Sequence, residues 1–165
     1  MPSTRLVLLL AALLLPSLAG ALAWQGVEPG KTSADEVVRK VGEPTSRVKK
    51  DGQTVLIYKG DQALTNTKLA QFFCRGDGVV EEIQVFLDAA LDGESIEGTY
   101  GKPQAKTFTD KFQKVWQYPQ KGVAVYFDKA GAVETIVFGA PRAEKARPKA
   151  EPKADAAAAP PEGGK

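Results

Sequence analysis

One order of elements occurs twice along this chain, and that repetition limits the fold more than any single motif. Residues 33–44, SADEVVRKVGEP, lie against residues 92–103, DGESIEGTYGKP, at a constant offset of 59. Ile96 falls on Val37, Tyr100 on Val41, Gly101 on Gly42 and Pro103 on Pro44. Downstream, QKVWQY (113–118) overlays QTVLIY (53–58), and VYFDKAGAVETIVF (125–138) overlays QFFCRGDGVVEEIQVF (71–86) with a shorter turn. Each copy opens on a short amphipathic helix that Gly and Pro bring to a stop. Strand signals follow: TVLIYK (54–59), KLAQFFC (68–74) and VVEEIQVFL (79–87), the last two joined by Arg75-Gly76-Asp77-Gly78 as a hairpin. The expected fold class is therefore α+β: two repeated helix-plus-three-strand antiparallel units packed as one compact body. One unit has more apolar sheet than one short helix can cover. The two units either pair their sheets or run them into one larger sheet with both helices on a shared face. Both arrangements leave one sheet surface facing solvent.

The residues entering the first helix, GVEPGKTS (26–33), end like a phosphate-binding loop. Such a loop needs four residues between its glycines so that successive N–H groups wrap the phosphates. Gly26 and Gly30 enclose only Val27, Glu28 and Pro29. Proline removes a donor, glutamate repels phosphate, and no strand precedes the loop, so no nucleotide is expected. As a turn and cap the same residues are all used. Pro29 and Gly30 make the bend, and Thr32 caps the helix with Asp35 answering three residues on. Gly30, Thr32, Gly42, Pro44, Gly101 and Pro103 are read as structural.

The two ends differ from the body. Residues 1–23 have a basic start, an apolar run over 6–15, Pro16, and small residues up to Ala21-Leu22-Ala23. That is the layout of a secretory signal cleaved after Ala23. The run is shorter than the roughly 20 residues a span needs, so an uncleaved inner-membrane anchor is the lesser alternative. Residues 141–165, rich in Ala, Pro and Lys, carry too little apolar surface to offset ordering entropy and are expected to be disordered. Between them, residues 24–88 and 89–140 are the two repeats. Their charges nearly cancel, 15 Lys and Arg against 16 Asp and Glu, which gives no nucleic-acid face. The chain has no histidine and a single cysteine, Cys74. His-dependent catalysis and the common zinc sites are thereby removed, no internal disulfide can form, and Cys74 reads as a buried small hydrophobe.

The stretch PGKTSADEVVRKVGEPT (29–45) resembles the opening signature of the SmpA/OmlA (BamE-like) family: Pro-Gly-x-Thr, a short Val-containing helix, then Gly-x-Pro before a meander. The closing strands GVVEEI (78–83) and GAVETI (131–136) fit as well, and the tandem arrangement is similar to the two-copy fold of β-lactamase inhibitor proteins. The resemblance spans residues 26–138. It implies a non-enzymatic cell-envelope protein–protein interaction module linked to outer-membrane assembly or envelope integrity, with an envelope or outer-membrane protein as partner. A secreted or periplasmic inhibitor of a hydrolase is the alternative, with Asp51 or the acids of residues 92–97 entering a partner's cleft. One departure matters: Leu18-Ala19-Gly20-Ala21 is a lipobox without its cysteine. No lipid anchor is expected, and the periplasm or the exterior is the expected location.

Among candidate site residues, Glu81 and Glu82 occupy neighbouring strand positions and are expected on opposite faces, which argues against a paired acid and base. Glu81 and Glu134 share a repeat position on the solvent side. Asp88, Asp92, Glu94 and Glu97 lack the regular spacing of a calcium loop, and Asp92 reads as the second helix cap. A carboxylate-dependent hydrolase is a remote alternative; no catalytic, metal or cofactor-binding residue is assigned. The strand aromatics carry the remaining signal, because Trp and Tyr anchor interfaces. Tyr58, Phe73, Trp116, Tyr118 and Tyr126 are the candidate partner-binding residues, with Lys59, Lys114 and Lys121 at the rim. The alternative packs these aromatics between the two copies.

Overall fold

Residues 20–141 are described by a computed structural model; most of the expected signal (residues 1–23) and of the expected disordered tail (residues 141–165) lies outside the described residues. The elements are α1 (Ala34–Val41), β1 (Ser46–Lys50), β2 (Gln53–Lys59), β3 (Thr67–Cys74), β4 (Val80–Leu87), α2 (Gly93–Tyr100), β5 (Ala105–Phe108), β6 (Lys114–Tyr118), β7 (Val123–Phe127) and β8 (Val133–Gly139). All eight strands belong to one antiparallel sheet in the order β1-β2-β3-β4-β8-β7-β6-β5. This corrects the expected fold class. The molecule is not two helix-plus-three-strand units: it is one continuous, mostly-sheet body in which a helix and four strands occur in each half. The strands missed in the sequence are β1 and β5, SRVKK and AKTF, the two edges. An edge strand has little apolar surface to bury and is kept polar against edge-to-edge pairing, so it shows no alternation to read.

The halves meet where β4 pairs β8, from Glu82 opposite Gly139 to Val85 opposite Ile136. Across that seam the register lines up one unbroken row, Leu56, Phe72, Ile83, Phe138, Val123 and Tyr118. The next row is Tyr58, Ala70, Val85, Ile136, Val125 and Trp116. Opposed residues share a face, so both rows point to one side, where Val37 of α1 and Ile96 of α2 join the same buried cluster. Both helices therefore cover one face. Trp24 closes the gap at the seam, its ring 5.9 Å from Phe72 and 6.4 Å from Phe138.

The opening turn is an anchor. Gly30 N–H donates to Val80 O (2.7 Å), and Val80 N–H donates to Thr32 O (2.9 Å), which fastens the stretch to the start of β4. Lys31 pairs with Glu28 at the surface. The cap is one residue later than expected. Ser33, not Thr32, caps α1, in a capping box with Glu36 instead of Asp35. The nearly buried Thr32 hydroxyl is already engaged by Glu28 N–H (2.9 Å). Asp92 caps α2 through Ser95 N–H (2.9 Å).

Both helices end in a conformation reserved for glycine, φ 93° and ψ −176° at Gly42 and φ 82° and ψ −171° at Gly101. Each of these carbonyls accepts a tyrosine hydroxyl, Tyr58 to Gly42 O (2.9 Å) and Tyr118 to Gly101 O (3.0 Å). The repeat-equivalent tyrosines thus tie each helix end to the second strand of its half. Burial lifts the Tyr58 hydroxyl to a pKa of about 12, and burial raises Tyr118 too. A pKa raised on folding contributes stability that is complete below the unfolded value, near 10, and is lost as pH rises through the folded value. Stability is expected to hold to about pH 9–10 and to fall as pH approaches 12. Tyr58→Phe should cost about 1 kcal/mol at neutral pH and flatten that alkaline fall; urea melts across pH check both.

Candidate functional site

Among the described residues, neither α1 nor α2 covers the other side of the sheet. Val55, Phe73 and Glu82 stand side by side on it. Beyond them runs the row Ile57, Gln71, Gln84, Val137, Ala124 and Gln117. Tyr126 sits next along, opposite Thr135 and Val115. These side chains half-bury one another, and Val55 and Val115 are buried outright. This face holds an open cup of about 730 Å³, whose lining includes Phe73, Tyr126, Glu81, Glu82, Gln53 and Gln117.

Two β-bulges shape the cup. Phe73 opposes Glu82 while the next residue, Cys74, opposes Val80, which leaves Glu81 as the extra residue. The second half does the same, with Tyr126 opposite Thr135 and Phe127 opposite Val133, so Glu134 is extra. A bulge breaks strict alternation and re-aims the added side chain. Glu81 and Glu82 consequently both line the cup rather than pointing to opposite faces. Each bulge glutamate is held by a glutamine at the entry to the second strand of its half, Gln53 as the first residue of β2 and Gln113 just before β6. Gln53 Nε2 donates to Glu81 Oε2 (3.2 Å) and Gln113 Nε2 to Glu134 Oε2 (2.5 Å). Glu82 takes Gln84 Nε2 (2.7 Å). Among the described residues no lysine or arginine lines the cup, so its field is negative.

The five aromatic candidates divide between the faces. Phe73 and Tyr126 line the cup. Tyr58, Trp116 and Tyr118 are buried on the helix side, at 0%, 6% and 2% exposure, and are core residues rather than contact residues. Adjacent strand aromatics alternate, and sequence alone does not say which of two neighbours points inward. Two of the rim lysines also belong to the helix side: Lys121 donates to Tyr100 O, and Lys114 lies over the Trp116 and Phe127 rings. Lys59 shares the strand parity of Val55 and Ile57 on the open face but is not part of the cup lining. Glu97 pairs with Lys106 beside α2, while Asp51 occupies the exposed tip of the β1–β2 hairpin. The cup's glutamines were missed. The signal for them was present in the matched openings Gln53 and Gln113, but their role depends on the bulges. Cys74 is buried, and burial pushes its thiol up to about 11.

One antiparallel sheet, with two helices on one face and an open surface on the other, defines the architecture. A similar fold occurs in a solved DUF4309 family protein (YjgB) from Bacillus subtilis subsp. subtilis str. 168. It has 15% identity and a TM-score of 0.53, over 73% of this chain and 88% of that one. At that identity the likeness is one of fold alone. Lesser likenesses are an extracellular protein containing a SCP domain from Bacillus anthracis str. Ames (13% identity, TM-score 0.46, 66% of this chain and 43% of that one). Another is a cysteine-rich secretory protein (SAV1118) from Staphylococcus aureus subsp. aureus Mu50 (10%, 0.43, 70% and 48%). None of the three is an SmpA/OmlA or β-lactamase inhibitor protein. Comparison with family models and with curated proteins finds no match. No helix among the described residues is long and apolar enough to cross a membrane.

Proposed function

We propose that this chain is an exported, non-enzymatic binding module that holds a segment of an envelope protein in the open cup of its sheet. The observation carrying this reading is the cup itself: a concave, helix-free face with two aromatic rings, glutamine amides, two carboxylates and no cation among its described lining. A partner loop bearing Lys or Arg, with an apolar side chain for the Phe73–Tyr126 floor, complements it. No bond is broken in this role. The chain lacks histidine, and Glu81 and Glu82 are occupied by amide donors. The SmpA/OmlA resemblance of residues 29–45 supports an envelope partner, and the signal layout of residues 1–23 supports export to the periplasm or beyond.

Photo-crosslinkers placed at Phe73 or Tyr126 in the native envelope test the reading against the same probe at Arg39 on α1. Adducts with one protein from the cup positions alone are expected. Adducts of equal yield from Arg39, or none from the cup, would sink it. Tyr126→Ala should weaken that complex about tenfold or more while changing folding stability by about 1 kcal/mol or less.

The inhibitor form of this reading is favoured by one feature, the exposed Asp51 at a hairpin tip beside Gln53 of the cup. It requires stoichiometric block of a secreted hydrolase that Asp51→Ala relieves.

A further inference from the structure

The β5–β6 hairpin breaks two local rules at once. Its tip exposes two phenylalanines, Phe108 at 69% and Phe112 at 88%. Phe112 is also held in the left-handed region, at φ 59°. The loop is pinned there. Thr109 N–H donates to Gln113 O (2.9 Å), Phe112 N–H to Thr109 O (2.8 Å), and Gln113 N–H to Thr109 Oγ1 (3.1 Å). A turn followed by a left-handed residue normally places glycine or asparagine at that position. The matching β1–β2 hairpin follows the rule, with Asp51 at φ 50° and Gly52 at φ 78°. The second hairpin puts a large aromatic where its counterpart has glycine. An exposed ring in a strained backbone contributes nothing to the core, so folding does not account for Phe112.

The surroundings of the tip indicate what does. Lys111 and Lys114 flank the two rings, against Asp110 as the one acid of the loop; Lys106 adds a third cation that pairs with Glu97 at 3.2 Å, and Glu134 is held by Gln113. Lys106 and Lys114 are steadied over the Trp116 ring, at 4.1 and 4.9 Å, on the flank behind the tip. Two apolar rings in front of a set of cations is the pattern of an interfacial bilayer anchor, in which the rings enter the headgroup boundary and the lysines meet anionic lipid. A bilayer accepts a convex aromatic tip without offering a matching pocket. We propose that the β5–β6 tip, led by Phe108 and Phe112, docks this protein on an anionic membrane surface. This surface is separate from the cup and does not rest on the proposed binding role.

The test is full-length Phe112→Trp with vesicles of phosphatidylcholine containing phosphatidylglycerol, read as the difference spectrum against the parent protein. A blue shift of the added indole, quenching by brominated acyl chains, and loss of both at high salt or with pure phosphatidylcholine are expected. Phe108→Ser with Phe112→Ser should weaken vesicle binding at least tenfold, the N-terminal apolar run being common to both proteins. Phe112→Gly should melt no lower than the parent and still bind less, which separates the tip from a structural role. Phe73→Ala in the cup should leave vesicle binding unchanged. An indole at position 112 that stays in water on anionic vesicles overturns the proposal and assigns the tip to a protein partner. Undiminished binding by the double serine variant overturns it as well.

Discussion

Replacing Phe72 with alanine is expected to destabilise the fold by about 3–5 kcal/mol, the range for removing a buried aromatic ring. Phe72 has no exposed surface and lies in the row that crosses the seam between the halves. Its ring meets Tyr58 edge-on at 5.4 Å and Trp24 at 5.9 Å. Deletion would open a cavity between the strand that anchors α1 and the residue that closes the seam, where little can collapse to fill it. Against a total of about 5–15 kcal/mol for a domain, the melting temperature should drop by 10 °C or more, on the order expected for a body of this size. Phe73→Ala is the built-in control. One residue along the strand, the ring points into the open cup, so stability should change by about 1 kcal/mol while partner binding weakens. Equal losses from both variants in denaturant melts would refute the assignment of faces.

Gly122→Ala is expected to cost about 2–5 kcal/mol, although it adds one methyl group. Gly122 follows the short 3-10 turn Pro119–Lys121 in a left-handed conformation, φ 66° and ψ 29°. Its carbonyl accepts Gly139 N–H at 2.8 Å, which locks β7 to the end of β8. A Cβ at this position would stand 2.1 Å from Gly139 O and 3.1 Å from the Ala140 carbonyl carbon. Both are backbone atoms, which cannot rotate aside, so the end of β8 must move. Gly122 and Gly139 also line the cup, so partner binding should fall with stability. Gly98→Ala provides the contrast. Gly98 lies inside α2 with open space around it, and alanine there should stabilise by about 0.5–1 kcal/mol. Urea midpoints of the two alanine variants should therefore move in opposite directions; a Gly122→Ala midpoint equal to the parent's would contradict the close approach.

Much of the chain's local order was legible beforehand, for reasons that individual residues make plain. The strongly β-branched and aromatic runs of β2, β3 and β4 announce themselves because interior strands must bury a full row on at least one face. Gly42 with Pro44, and Gly101 with Pro103, end both helices as expected because the required backbone conformation is close to exclusive to glycine. The errors fall where neighbouring residues share the same preferences. Thr32 and Ser33 are both good caps, and only the prior engagement of the Thr32 hydroxyl by Glu28 decides between them. Glu81 and Glu82 read as alternating because a bulge has no signature in a run of glutamates.

The sequence by itself determined the two short helices, their glycine ends and the interior strands. Spacing, turn chemistry and propensity act over a few residues, and those are what a linear pattern records. The tertiary structure alone decided that the strands form a single sheet joined at β4 and β8, that β1 and β5 complete its edges, and which aromatics face the cup. Those outcomes depend on register between strands far apart in the chain. A one-residue slip or bulge exchanges the two faces, and that choice is made by the whole core packing at once.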